Sequence, residues 1–167
     1  MYIYLSILIG NTFALKTPDY ELYGNQWLAF KSNKRLLNFE VRACSNARLR
    51  LSQLPFTSPQ YEVVFGTDSN RKTQLMRYNG GVASLVAEEE TLGIVDCFES
   101  KRFDVSWYEN KIRVSRGSGS GQVVLDWQES QRSVRVFAAS LSTGPQSNGD
   151  WKVLNTEGKY IPSVGIL

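Results

Sequence analysis

The residues best suited to chemistry are polar and aromatic side chains in three short turn segments. Amides, carboxylates and guanidinium groups can hydrogen-bond the hydroxyls of a sugar, and an aromatic ring can stack on the apolar face of a pyranose. Because loops on a rigid scaffold often carry function, we expect these segments to bind carbohydrate or another polar ligand as loops at one end of the fold. The candidate residues are Asp68, Asn70, Arg71 and Lys72 in the first segment, Tyr108 and Asn110 in the second, and Asn148, Asp150 and Trp151 in the third.

Histidine is absent from the 167-residue chain. Its absence excludes Ser-His and Cys-His nucleophile pairs, histidine general bases and imidazole metal ligands. No acidic cluster has EF-hand spacing, so Asp68 and Asp96 are predicted to lie in solvated loops rather than to hold calcium. We therefore assign no catalytic residue and no metal ligand.

The charge balance gives little indication of a partner. The formal net charge is +3, which is too small and too dispersed to predict a nucleic-acid partner. Arg48 and Arg50 would share one strand face, in a segment where Glu40 is the only acidic residue. A solvated face is the favoured interpretation of this pair, and an anionic ligand is the alternative.

Strands are the elements that must position these side chains. In residues 102–127, apolar and polar side chains alternate with the period of two that a half-buried strand shows. The stretch predicts three successive strands, joined by a turn at 108–111 and a glycine-serine loop at 117–121. Asn110 is the turn residue best able to adopt a positive φ. Trp107 and Trp127 continue the apolar alternation and are predicted to lie in the core.

The rest of the chain repeats this pattern of short strands and turns. Further strands are predicted at 39–43, 47–52, 61–65, 72–78 and 134–142. Residues 82–92 are interpreted as an edge strand that passes into a loop. About eight to ten short strands at regular intervals predict an all-β fold, an antiparallel β-sandwich of jelly-roll type. Because no domain boundary is visible, residues 15–167 are predicted to form a single domain.

The first fourteen residues are uncharged and contain an apolar run from Tyr2 to Ile9. A run of this length is too short to span a bilayer but fits the apolar region of a secretory signal. We therefore predict a signal peptide at 1–14 and a secreted protein without a membrane span. A buried first strand and a truncated gene start are the alternatives.

Cys44 and Cys97 are the only cysteines in the chain. In an oxidising compartment they could form a disulfide. Two unpaired buried thiols are an equally good interpretation, because a single pair of cysteines has no framework signature.

Several motifs also resemble one protein family. In the first half they are FEVRA at 39–43, ARLRLS at 47–52, YEVVFG at 61–66, and Asn70, Arg71, Lys72, Thr73 and Arg77. In the second half they are RFDVSW at 102–107, IRV at 112–114, DW at 126–127, STG at 142–144 and GDW at 149–151. In this order, over about residues 20–152, they are similar to the farnesoic acid O-methyltransferase-like domain.

Two turns depart from the pattern of that family. Thr67 and Asp68 follow Gly66, where the family usually shows Gly-Trp. The turn after Trp107 lacks the usual glycine. The first departure removes an aromatic ring from a loop that could face a ligand.

The resemblance implies two different functions. The family name implies methylation of farnesoic acid, with S-adenosylmethionine as cofactor. A methyltransferase of the doubly wound type needs a glycine-rich turn that leads into a helix, whereas a strand is predicted after the loop at 117–121. The resemblance also implies an association with extracellular and lectin-like modules. We interpret the chain as a secreted recognition module that needs no cofactor, with a methyltransferase or a structural interaction domain as alternatives.

Overall fold

The computed structural model describes residues 15–16, 28–31, 35–53, 60–117, 121–131, 134–144 and 147–154. These residues form twelve strands and one short turn, Thr67–Asn70. The strands are β1 (Leu15–Lys16), β2 (Leu28–Lys31), β3 (Leu36–Ala43), β4 (Ala47–Ser52), β5 (Tyr61–Gly66), β6 (Lys72–Asn79), β7 (Val82–Glu90), β8 (Lys101–Tyr108), β9 (Lys111–Arg116), β10 (Gln122–Gln128), β11 (Ala138–Thr143) and β12 (Gly149–Leu154).

The strands are arranged in two six-stranded sheets. The order in the first sheet is β1-β12-β3-β8-β9-β10, and the order in the second sheet is β2-β11-β4-β5-β6-β7. All neighbouring strands within each sheet are antiparallel. This architecture confirms the predicted antiparallel β-sandwich of jelly-roll type.

Inward-facing side chains of both sheets meet in an aromatic core. The ring centroid of Phe39, on β3, lies 5.8 Å from that of Phe65, on β5, and 5.7 Å from that of Phe103, on β8. Phe65 and Phe103 belong to different sheets, and their centroids are 4.7 Å apart. Burying one such ring contributes about 1.5–3 kcal/mol relative to leaving it exposed. These contacts hold the two sheets together.

The predicted meander is confirmed as β8, β9 and β10. The two residues between β8 and β9, Glu109 and Asn110, both have positive φ (50° and 61°), which a two-residue hairpin turn of the favoured kind requires. Asn110 therefore adopts the predicted conformation, and Glu109 adopts it without being glycine. Trp107 is fully buried. Trp127 is half-buried and packs against Tyr61, with the centroids 5.6 Å apart.

The late strand is shorter than predicted, because it begins at Ala138 rather than at residue 134. Side chains bind the backbone of two of the four residues before it. The indole of Trp107 donates a hydrogen bond to the carbonyl of Val136 at 3.1 Å, and the amide of Val134 donates to Oδ1 of Asn110 at 3.0 Å. Backbone groups held by side chains in this way are not paired in a strand ladder.

The interpretation of residues 82–92 as an edge strand and loop is confirmed. Strand β7 pairs with β6 and lies at the edge of the second sheet. Its last three residues are glutamates that belong to the strand, and they face Lys72, Thr73 and Gln74 of β6. Charged residues on an exposed edge disfavour further strand pairing.

The region predicted to be a signal peptide, residues 1–14, lies outside the described residues. The assignment of 15–167 to a single domain remains a prediction. Among the residues that the structure describes, no helix is long and apolar enough to cross a membrane.

Cys44 and Cys97 form a disulfide that links the turn after β3 to the loop before β8. This confirms the pairing over the alternative of two free thiols. The bond closes a loop across a separation of 53 residues.

The disulfide is expected to raise the free energy of unfolding by about 4 kcal/mol, because it restricts the unfolded chain. Urea unfolding of the oxidised protein and of a Cys44→Ser, Cys97→Ser double variant measures this difference. The intact mass of the oxidised protein should lie about two units below that of the reduced protein. Free thiols in protein from a secretory host, or equal stabilities of the two proteins, would contradict the expectation.

Candidate ligand-binding site

Antiparallel pairing places the three predicted turn segments at opposite ends of the sandwich. Backbone hydrogen bonds connect the turns of one end: the amide of Asn46 donates to Gly66 at 3.2 Å, and the amide of Gly144 donates to Asn46 at 2.8 Å. The first and third segments therefore share this end. Tyr108 and Asn110 lie at the other end, because β8 starts at the first end and runs away from it. The structure does not bring all the predicted site residues together.

Two of the predicted ligand-binding amides hold loops of the protein itself. The side chain of Asn70 donates to the carbonyl of Val95 at 2.7 Å and accepts from the backbone amide of Val95 at 3.3 Å. Asn110 accepts from the amide of Val134 through its side chain and from the amide of Glu129, at 2.8 Å, through its carbonyl. Both side chains have a structural role that the sequence did not indicate.

Three further candidates also have partners within the protein. Nζ of Lys72 lies 2.9 Å from a carboxylate oxygen of Glu88. Asp150 accepts a hydrogen bond of 2.9 Å from Nε of Arg42 on the outer face of the first sheet. Side chains alternate along β12, so Asp150 and Lys152 face outward and the ring of Trp151 between them is buried in the core.

Trp151 does not present its ring on the surface, where it could stack on a sugar. Only 1% of the residue is exposed, and its ring centroid lies 5.4 Å from that of Phe39. Asp68, Arg71 and Asn148 remain exposed at one end, and Tyr108 is exposed at the other.

A different group of side chains stands out on the outer face of the second sheet. Alternation along β4 to β7 directs these polar side chains away from the core. We call this group the polar face; it consists of Arg48, Arg50, Glu62, Lys72, Gln74, Tyr78 and Glu88. The register forms rows across the sheet, because Arg48 and Gln74 both lie opposite Val64, and Arg50 lies opposite Glu62.

Glu62 is the centre of the polar face. Its side chain is only 4% exposed although it points away from the core. One carboxylate oxygen accepts hydrogen bonds from Nε of Arg50 at 2.6 Å and from the hydroxyl of Tyr78 at 3.2 Å. Pairing of this kind offsets the cost of burying a carboxylate. Burial, reinforced by the negative charge of Glu62, raises the pKa of Tyr78 above its ordinary value.

The arginine pair of β4 is less solvated than the favoured interpretation of the sequence implied. The side chains of Arg48 and Arg50 are only 26% and 23% exposed. Nη1 of Arg48 lies 3.7 Å from the second oxygen of Glu62, and its buried Nε has no hydrogen-bond partner. The sequence contained one signal of this arrangement, which is an acidic residue inside the otherwise apolar strand 61–65.

A second network lies at the edge of the polar face. The two oxygens of Glu88 accept hydrogen bonds from Lys72 at 2.9 Å and from Gln74 at 2.6 Å. The hydrogen bond between Lys72 and Glu88 raises the pKa of Lys72 and lowers that of Glu88. This network fixes an amide and a carboxylate in place.

The polar face combines the groups that a hydroxylated ligand needs. It offers guanidinium and amide donors and carboxylate acceptors, and the half-buried side chain of Met76 lies between Glu62 and the β7 edge. A ligand with apolar C–H surface and hydroxyl groups can contact both kinds of surface. In the described part of the chain, no cluster of three or more His, Cys, Asp or Glu side chains could hold a metal ion.

The described residues do not form the kind of S-adenosylmethionine site that a doubly wound methyltransferase has. Such a site needs a glycine-rich turn followed by a helix whose first amides face the cofactor. Here the glycine-serine loop at 117–121 leads into strand β10.

Glu62→Gln is expected to lower the free energy of unfolding by about 2 kcal/mol, because among the described residues Glu62 is the one carboxylate in contact with both arginines. Urea denaturation measures this change. The matched control is Glu40→Gln on the outer face of the first sheet, where Lys152 lies 3.7 Å away and the ion pair is exposed. The control should change stability by less than about 0.5 kcal/mol, and equal effects would contradict the central role of Glu62.

The pKa of the Glu88 carboxyl is expected to lie below its ordinary value, because Lys72 and Gln74 donate to its charged form. Since the folded-state pKa is the lower one, this interaction stabilises the protein above the unfolded-state pKa and is lost as the pH falls through the folded-state pKa. Carbon-13 NMR titration measures it. Lys72→Met should raise the Glu88 pKa and Lys152→Met should not; an unchanged pKa in Lys72→Met would refute the assignment.

Three solved structures share the fold at low sequence identity. The carbohydrate binding module CBM66 from Bacillus subtilis has a TM-score of 0.54 and 10% identity, covering 84% of this chain and 89% of that one. A human galectin-16 variant has a TM-score of 0.56 and 9% identity, covering 77% and 91%. A tetrameric galectin from the ball sponge Cinachyrella sp. has a TM-score of 0.56 and 11% identity, covering 77% and 96%.

The sequence comparisons identify the family. No curated protein sequence gives a significant match. The family model described as farnesoic acid O-methyl transferase matches residues 21–157, which confirms the resemblance carried by the motifs at 39–66 and 102–151. The chain therefore belongs to the farnesoic acid O-methyl transferase family.

Proposed function

We propose that this protein is an extracellular recognition module that binds carbohydrate on the polar face of its second sheet. The observation that carries the proposal is the set of half-buried polar side chains on an outward sheet surface. Polar groups on an outer strand face are ordinarily solvated, whereas Arg48, Arg50 and Glu62 are largely withdrawn from water. They are held in place by neighbouring strands, as a preorganised binding site requires.

The chemistry of this face suits a sugar. A guanidinium, an amide and a carboxylate can each bond a hydroxyl, and a carboxylate can accept two such bonds. The neighbouring Met76 and the ring of Tyr78 provide apolar surface for the C–H groups of the ligand. The binding site therefore lies on the sheet rather than in the turn segments favoured by the sequence. The side chains of Asn70 and Asn110 bind the protein's own backbone, and Trp151 is buried in the core.

The structural relatives and the disulfide add support. One relative with the same fold is named as a carbohydrate binding module. The Cys44–Cys97 disulfide is typical of proteins that fold in an oxidising compartment, which supports secretion. The description of the family supports methyl transfer as the competing function, which a thermal-shift measurement with S-adenosylmethionine tests.

A glycan-array screen of the purified full chain tests the proposal. Gln74→Ala and Arg48→Gln are expected to weaken binding of the selected glycan about tenfold or more, since each removes a donor to the ligand. Arg113→Gln is the matched control, because Arg113 is paired with Asp126 at 2.7 Å on the outer face of the first sheet. The control should bind as the unchanged protein does.

Three outcomes would overturn the proposal. Binding that is lost in Asp68→Ala or Asn148→Ala but retained in the polar-face variants would place the site at the end of the sandwich. Absence of glycan binding would remove the carbohydrate function. A thermal shift with S-adenosylmethionine but with no glycan would favour methyl transfer instead.

A further inference from the structure

We propose that the ligand of the polar face carries an anionic group, a carboxylate or a sulfate, that binds the guanidinium of Arg48. This inference rests on the proposed function, because it specifies the class of carbohydrate that the same face selects.

Arg48 is the incompletely paired cation of the polar face. Its Nε is buried and has no hydrogen-bond partner, and Nη1 lies 3.7 Å from the nearest oxygen of Glu62. This distance permits charge attraction but is too long for a hydrogen bond. Nε is closed to solvent, so a ligand can reach Arg48 only through the two Nη groups of its partly exposed side chain. An anion bound there would supply the hydrogen-bond acceptor that this guanidinium lacks.

The charges around Arg48 do not balance. Glu62 is held by Nε of Arg50 at 2.6 Å, so one carboxylate serves two guanidinium groups. Glu88 and Glu90, on the same face, lie on β7 and are close to Lys72, at 2.9 Å and 3.7 Å. The cation of Arg48 therefore has no carboxylate of its own among the described residues of this face.

The residues opposite Arg48 on the neighbouring strands are uncharged. Ser142 of β11 lies on one side and Val64 of β5 on the other. The hydroxyl of Ser142 donates its hydrogen bond to the carbonyl of Thr143 at 3.1 Å, so its oxygen can still accept but its proton is engaged. Neither residue compensates the positive charge.

The geometry of the Arg48 guanidinium indicates which anions it can bind. A guanidinium presents parallel N–H donors that match the two oxygens of a carboxylate or a sulfate, and such charge-assisted pairs are about twice as strong as neutral hydrogen bonds. An uncharged hydroxyl would occupy one donor and leave the charge uncompensated. We therefore expect uronic acids or sulfated sugars to bind better than neutral sugars.

Binding of matched charged and neutral oligosaccharides by isothermal titration calorimetry tests the inference. One pair is oligogalacturonate and its methyl ester, and the other is a sulfated galactan oligosaccharide and its desulfated form. We expect the charged member of at least one pair to bind about tenfold or more tightly, and the pair that shows this distinguishes carboxylate from sulfate. Arg48→Gln should abolish the preference, and Arg48→Lys, which keeps the charge but loses the parallel donors, should retain only part of it.

The control is again Arg113→Gln, which removes the same charge from the opposite sheet. An equal loss of preference in this control would reveal general electrostatic attraction and would overturn the inference. Equal affinity for the charged and neutral members would also overturn it while leaving carbohydrate binding intact. Failure to bind any member of either pair would overturn the inference, and failure to bind any glycan of the array in addition would overturn the proposed function as well. Circular dichroism of each variant confirms that it is folded, so that a loss of binding reports on the site.

Discussion

The alternation of side chains along a strand constrains this molecule more than any single contact does. In a two-sheet sandwich, one side of each strand must fill the space between the sheets. Phe39, Phe65 and Phe103 fill the middle of that space with apolar rings and leave no room there for a ligand. Binding groups are consequently restricted to the two outer faces and to the turns, and these places differ in how firmly they hold a side chain.

The charged side chains of the two outer faces differ in how deeply they are buried. On the first sheet, Asp126 lies 2.7 Å from Arg113 and 3.0 Å from Lys111, and all three side chains are partly exposed. Ion pairs of this kind contribute little to stability. On the second sheet, Glu62 is buried between two arginines and a tyrosine, so its contacts are stronger and its removal is costlier. A rigid, incompletely neutralised arrangement of this kind is suited to a ligand, because little ordering remains to be done when the ligand binds.

The turns illustrate why residue type alone is a poor guide to a binding site. Asn70 and Asn110 both adopt positive φ, a conformation that asparagine tolerates better than most residues. Their side chains then bind the backbone of residues 25 and 24 positions further along the chain. An amide that can hydrogen-bond a sugar can equally fix a loop, and the choice depends on which backbone group lies within reach.

The sequence by itself determined nine of the twelve strands of the described residues, most of their limits, the hairpin turn at Asn110 and the family, because period-two alternation and turn residues are local properties. The strands β1, β2 and β12 were not predicted. The sequence also placed Arg48 and Arg50 on one strand face. Only the tertiary structure decided that Arg48, Arg50 and Tyr78 converge on Glu62, that Trp151 faces the core, and that the three predicted segments lie at two different ends. These outcomes depend on the order of the strands, in which β12 lies between β1 and β3. Such pairings join residues that are far apart in the chain, and the alternation of side chains along a single strand does not specify them.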